Sequence, residues 1–216
     1  MKILHITDIH SDFERLKNVV ESESFDLILI SGDITHFGNK AELQKALDIL
    51  DSTKIDYFAV TGNCDKLDCE YLLEDKGISL DSKIINFDDY QLCGLSGSLP
   101  CPGATPNEFT EDEFAAKLAT IEKSIIPGKP AVFVTHQPPH NTINDKIITG
   151  LHAGSKTVRD FIEKHSPVIC LTGHIHEGKG TDYIGKCPVI NPGPLRNGHF
   201  AIVDITGEST PYVDLY

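Results

Sequence analysis

The chain alternates short apolar runs with stretches of helical period. Ile3–Thr7 reads as a strand, and from about Asp12 the apolar positions Phe13, Leu16, Val19 and Val20 recur on one helix face. Asp26–Ile30 is a continuous apolar run ending at Ser31-Gly32-Asp33, the pattern of a buried strand feeding a loop. Lys40–Leu50 has helical spacing, and Asp56–Val60 is a third strand, ending at Thr61-Gly62-Asn63. The order β-α-β-α-β predicts a sheet of mainly parallel strands with helices outside.

The second half is richer in strands. Lys83–Asn86 and Tyr90–Leu95 fit a hairpin around Asp88-Asp89. Ser98–Asn107 holds three prolines and a glycine and reads as an irregular surface loop, with a lid as the alternative. Thr110-Glu111-Asp112-Glu113 fits a capping box that opens a helix to about Ser124. Ala131–Thr135 is a strand ending at His136, and Ser155 caps a helix to about Lys164. Val168–Thr172 is a strand ending at Gly173-His174; Pro188–Ile190, His199–Ile205 and the C-terminal tail read as further strands. With no internal repeat and no linker, one domain over residues 1–216 is expected, with two sheets packed face to face between helices.

Composition narrows the partners. A hydrophobic share of 40% and a charged share of 24% suit a globular chain rather than a disordered one. The net charge of −13 repels polyanions, which argues against long nucleic acid and against an anionic membrane as partners. A nucleotide-sized substrate stays open, because bound cations reverse the local field. The six cysteines form no CxxC pair, so neither a zinc ribbon nor a thioredoxin-type site is signalled. MKILHITDIH is too short and polar for a signal peptide, and no window approaches the ~20 apolar residues of a membrane span. A cytoplasmic protein with free thiols is the expectation.

The chemistry lies in where the metal-capable residues fall. Asp8 and His10 follow the first strand, Asp33 the second and Asn63 the third; His136, then His174 and His176, follow later ones. Loops at the carboxyl ends of strands share one edge of an α/β sheet and form its ligand crevice. Each residue alone has an ordinary reading: Gly32-Asp33 and Gly62-Asn63 are good turn dipeptides, and an Asp-x-His after a strand is commonly a turn with a surface histidine. His174-Ile175-His176 is stronger, since alternation puts both imidazoles on one side. Seven oxygen and nitrogen donors at successive strand ends call for a shared cause.

As a set, Asp8-Ile9-His10, Gly32-Asp33, Gly62-Asn63-Cys64-Asp65, Thr135-His136 and Gly173-His174-Ile175-His176 resemble the ordered motifs of the calcineurin-like metallophosphoesterases. The resemblance covers roughly residues 1 to 200. It implies a four-layer β-sandwich flanked by helices, with a dinuclear metal site. On the family pattern Asp8, His10 and His176 hold one metal, Asn63, His136 and His174 the other, and Asp33 bridges them. Mixed carboxylate, imidazole and amide donors suit Mn²⁺ first, with Fe, Zn²⁺ or Ni²⁺ as alternatives, over Ca²⁺. Two such cations offset the charge of a phosphodiester, and a bridging hydroxide serves as nucleophile, so Asp33, Asn63, Cys64 and His136 are the expected catalytic set.

The pattern departs from the family at Cys64, where many members carry a histidine that assists the leaving group. A cysteine there resembles a subgroup of small bacterial and archaeal phosphodiesterases. A thiol is a poor substitute for imidazolium, so Cys64 reads as a wall on the substrate side rather than a proton donor. Gly150–Ser155 also resembles a loop of this subgroup. There His152 faces the substrate and the following helix N-terminus receives a phosphate oxygen, or else the loop is an ordinary cap with a surface histidine. His140, just after His136, is a further candidate for lining the pocket. His5, His36, His165 and His199 have no motif support and read as structural or surface residues, and Asn191-Pro192-Gly193 as a structural turn.

The expected activity is hydrolysis of small phosphodiesters, cyclic nucleotides or similar, by a protein that could self-associate. A phosphomonoesterase or protein phosphatase is the variant within the class. A non-catalytic scaffold is the alternative outside it, since the family includes a retromer scaffold subunit that has lost part of its site; here every expected ligand is intact.

Overall fold

The computed structural model describes residues 1–22, 24–206 and 210–216. Its first half runs β1 (Lys2–Ile6), α1 (Phe13–Val20), β2 (Leu27–Ser31), α2 (Lys40–Thr53), β3 (Tyr57–Val60) and α3 (Leu67–Asp75). The hairpin β4 (Ile84–Phe87) and β5 (Tyr90–Leu95) leads to α4 (Glu111–Glu122), β6 (Ala131–Thr135), α5 (Lys156–His165) and β7 (Ile169–Leu171). β8 (Gly180–Ile184), β9 (Cys187–Asn191), β10 (Ala201–Asp204) and β11 (Tyr212–Leu215) complete it.

Side-chain alternation sets the layers. In β2, Leu27 and Leu29 face the second sheet, while Ile28 and Ile30 face α1 and α2. In β6, Val132 and Val134 enter the same inter-sheet core, and Phe133 turns to the helices α4 and α5. Both strands are therefore apolar on both faces, which is why they read as continuous runs. One sheet has the order β11-β10-β1-β2-β3 and the other β4-β5-β6-β7-β9-β8. Both are mixed: β1-β2-β3 and β5-β6-β7-β9 are parallel, while β10, β11, β4 and β8 pair antiparallel with their neighbours. The result is the expected helix–sheet–sheet–helix stack.

Among the described residues, one α-helix and one strand, α3 and β8, escaped the sequence reading. The N-cap of α3 is Lys66, which makes no side-chain cap, and the helix's buried face includes a carboxylate, Glu70. That carboxylate accepts hydrogen bonds from Thr61, Ser79 and Ser96, which satisfies it in the interior. β8 is an edge strand, largely uncovered and polar, so it lacks the apolar signal of a strand.

The capping box on α4 is present, with Thr110 and Glu113 exchanging side-chain bonds to backbone. The neighbouring Glu111 has a longer reach. Its carboxylate accepts from the Ser155 hydroxyl at 2.6 Å and from the backbone N–H groups of Lys156 and Thr157 at 2.9 and 3.1 Å. It thus closes the N-terminus of α5 from another helix. Burial alone would push this carboxyl up, but the bonds from Ser155, Thr157 and Lys156 outweigh it and hold the carboxyl below its ordinary value. A depressed carboxyl contributes stability that is present above its unfolded-state pKa of ~4.3 and is lost as pH falls through the lower folded value. Glu111→Gln is therefore expected to melt below the wild type at neutral pH, with the gap in Tm shrinking below about pH 4. A gap constant from pH 3 to 7 would show that Glu111 acts only by shape.

Candidate metal centre

Parallel strands of both sheets end at one place. β1, β2 and β3 deliver Asp8, His10, Asp33 and Asn63; β6 and β7 deliver His136, His174 and His176. The side chains converge. Asp8 Oδ1 lies 3.3 Å from His176 Nε2, which lies 3.5 Å from His10 Nε2. Asp33 Oδ2 is 3.7 Å from His10 Nε2, and its other oxygen, Oδ1, is 3.5 Å from His136 Nε2. His136 Nε2 is 2.9 Å from Asn63 Oδ1, and the rings of His136 and His174 are 5.0 Å apart. The His174 backbone N–H donates to Asp8 Oδ2. Donor atoms of Asp8, His10 and His176 fall within 4.8 Å of one another, as do those of Asp8, Asp33 and His136.

The backbone is held under strain to do this. Asp8, His10, Asp33 and His174 have φ of 52°, 47°, 49° and 68°, in the left-handed region that non-glycine residues avoid. Such residues cost roughly 1–3 kcal/mol each and cluster where the fold over-determines a functional geometry. Close approach is the second device. A Cβ on Gly62 would fall on the Asp33 carboxylate, and one on Gly173 would fall on the Thr7 hydroxyl, 2.8 Å from Asp8 Oδ2. The loops approach this closely because these positions carry no side chain.

The donor set fits a cation. His136 Nδ1 lies 2.7 Å from the Ser31 carbonyl oxygen, an obligate acceptor, so Nδ1 carries a proton. Nε2 then presents its lone pair to Asn63 Oδ1 and Asp33 Oδ1, both acceptors. Acceptors cannot face one another at that distance without a positive charge between them, a second proton or a metal ion. Burial holds the His10 and His174 imidazoles down, to about 4 and about 3, and so in the neutral form that ligates metals. Burial pushes the Asp33 carboxyl up to about 6 against the pull of His136. At Asp8 burial is outweighed by the hydrogen bond with His176 and the nearby imidazoles, which hold the carboxyl below its ordinary value.

Several neighbours went unassigned in the sequence. Asp65, fully buried, accepts from the backbone N–H groups of Ile34, Thr35 and Gly62 and from the Thr35 hydroxyl. It stitches the Asp33 loop to the Asn63 loop, a role the Gly62–Asp65 motif could have suggested. His36 is exposed, as expected, and it also touches the site: its ring is 5.3 Å from that of His10, with the Nδ1 atoms 3.4 Å apart. Arg196 approaches His176 Nδ1 at 3.4 Å. Asn191 does hold the double-histidine loop, donating to the carbonyls of Gly173 and Ile175.

The loop over 98–107 is part of the site rather than a plain surface excursion. Asn107 bonds to Thr61, Gly62 and Asn63, Thr105 accepts from the Asn63 amide, and Cys101 Sγ lies 3.6 Å from His174 Nε2. Cys64 is buried with its backbone N–H on Asp33 Oδ1, and burial together with the Asp33 charge pushes its thiol far above the ordinary value. The phosphate-receiving role of the α5 N-terminus is corrected: its N–H groups are taken by Glu111 and by the Ser155 cap. His152 and His140 form a separate cluster, with their Nδ1 atoms 2.6 and 3.5 Å from the two oxygens of the buried Asp145. Their rings are 5.8 Å apart, and their side chains are about one-third exposed.

The chain is similar to several known proteins. The calcineurin-like phosphoesterase profile matches residues 1–178. An uncharacterized protein of Methanocaldococcus jannaschii is 37% identical over 199 residues, spanning 90% of this chain and 88% of that protein. A probable cyclic nucleotide phosphodiesterase of Xenorhabdus bovienii is 24% identical over 203 residues, spanning 82% and 78%. The solved structure of a dimetal phosphatase from Danio rerio covers 99% of this chain and 98% of its own at TM-score 0.64, with 13% identity, a likeness of fold.

Proposed function

The chain belongs to the calcineurin-like phosphoesterase family, and from that premise we propose that it hydrolyses small phosphodiesters with the aid of two divalent cations. The observation that carries this reading is the divided carboxylate of Asp33, one oxygen towards His10 and the other towards His136. Asp8, His10 and His176 would hold one cation; Asn63, His136 and His174 the other; Asp33 both. The cations, Mn²⁺ first among Mn²⁺, Fe, Zn²⁺ and Ni²⁺, would offset phosphoryl charge and acidify coordinated water. The names of two similar proteins, a probable cyclic nucleotide phosphodiesterase and a dimetal phosphatase, support the diester and the paired cations.

The protein's own groups do the rest. The Ser31 carbonyl fixes the His136 tautomer, and Thr7 donates to Asp8 Oδ2 at 2.9 Å, so these two donors are held before any ligand arrives. Cys64, its thiol kept protonated by burial, is a wall beside Asp33 rather than a proton source. Proton assistance to the departing oxygen is then weak, and activated aryl diesters should be the best artificial substrates. His140 and His152 are assigned to the substrate's remaining group. Asp145 faces both rings at Nδ1, and among the described residues neither Nε2 has a hydrogen-bond partner. A net charge of −13 away from the cations favours a small ester over a long nucleic acid or an anionic membrane.

Metal-stripped protein reloaded with Mn²⁺ should cleave bis(p-nitrophenyl) phosphate faster than p-nitrophenyl phosphate. The reverse order would make it a monoesterase, and no cleavage of diester, monoester or pyrophosphate would end the proposal. Asp145→Asn should raise KM by about tenfold with a smaller change in kcat, because it frees the substrate-side imidazoles rather than the cations. An unchanged KM removes the cluster from the site.

A further inference from the structure

The proline-containing loop between β5 and α4 supplies side chains to two of the proposed ligands, and its bonding pattern can be followed proton by proton. Glu108 organises it: Oε1 accepts from the backbone N–H groups of Cys101 and Thr105, at 3.2 and 2.8 Å, and from the Thr105 hydroxyl at 2.6 Å. A carboxylate only accepts, so the single hydroxyl proton of Thr105 is committed to Glu108. The Thr105 oxygen can then only accept from Asn63, 3.1 Å away, which makes the facing atom Nδ2. Asn63 Oδ1 is thereby turned towards His136 Nε2. An amide rotated the other way would aim its NH₂ group at the cation.

A parallel chain fixes His174. Cys101 Sγ has Leu99 O and Ser98 Oγ at 3.3 Å as partners, besides His174 Nε2 at 3.6 Å. With the thiol proton directed to Leu99 or Ser98, the sulfur accepts from His174 Nε2–H. The lone pair of a neutral imidazole is then on Nδ1. The third ligand of this half, His136, is set separately by the Ser31 carbonyl. Cys101 and Thr105 bond to Asn63 and His174 alone among the seven proposed ligands within the described residues.

We propose that this loop, tied together by Glu108, is the outer shell of one cation position, and that it sets the affinity of the Asn63–His136–His174 half independently of the Asp8–His10–His176 half. The inference rests on the two-cation reading. Outer-shell partners of metal ligands typically control about 10–100-fold in affinity.

Calorimetric titration of metal-stripped full-length protein with Mn²⁺ tests it without any substrate. Wild type should take up two equivalents. Thr105→Val, close in shape but without the hydroxyl, should weaken one binding event by about 10–100-fold and leave the other within about twofold. Thr105→Ser should restore it. Should Thr105→Val melt before it can be titrated, Cys101→Ala should weaken the same event and Cys101→Ser spare it. Wild-type affinities in Thr105→Val, or equal weakening of both events, would overturn the loop's role while two-cation binding stands. A single equivalent in wild type would overturn both.

Discussion

Asp33→Asn should lower diester hydrolysis by about three orders of magnitude and reduce bound Mn²⁺ from two equivalents to one or none. Asp33 has one oxygen towards His10 and the other towards His136, and an amide of the same shape would turn an NH₂ towards one of them. The change also removes a buried negative charge whose compensation in the cation-free protein is incomplete. The metal-stripped variant should therefore melt no lower than metal-stripped wild type, which separates a lost site from a lost fold. Metal analysis, turnover and thermal melts of the two proteins decide the matter. Near-wild-type turnover in the variant would remove Asp33 from the centre.

Gly62→Ala is the second large effect, and it needs no change of charge. The added methyl would overlap the Asp33 carboxylate and collide with the Asp33 backbone nitrogen, so one loop must move. A displacement of about 1 Å at reacting groups typically costs about 10²-fold in rate, and the overpacking about 1–3 kcal/mol in stability. Gly128→Ala is the control. Its φ is +81° and nothing lies within 4 Å of its Cβ position, so it should lose stability through backbone strain and keep full turnover. If Gly62→Ala turns over like Gly128→Ala, close approach of the two loops is not what the glycine provides.

Local pattern was enough where the signal was local. The strands that carry the donors are apolar on both faces, so β1, β2, β3, β6 and β7 were legible, and with them the strand ends where Asp8, Asp33, Asn63, His136 and His174 gather. What was not legible depends on distant partners. The N-terminus of α5 looked free for phosphate because the carboxylate that fills it, Glu111, is 45 residues away from Lys156. The loop with three prolines looked like plain surface because its partners, Asn63, Gln137 and His174, belong to other loops. α3 was hidden because its buried Glu70 reads as an exposed position until three hydroxyls are placed around it. His36 gave no motif signal, since its contact with His10 arises from the path of the Asp33 loop.

Asp8 and His176 meet at 3.3 Å across a sequence separation of 168, and their strands belong to opposite sheets. No fragment that lacks either end of this span can contain both halves of the centre. Because contacts so distant along the chain close slowly, reactivity must arise late, after the two sheets have docked. A growing polypeptide therefore stays inert until most of it has been synthesised. Recovery of activity after dilution from denaturant would then time the docking of one sheet on the other.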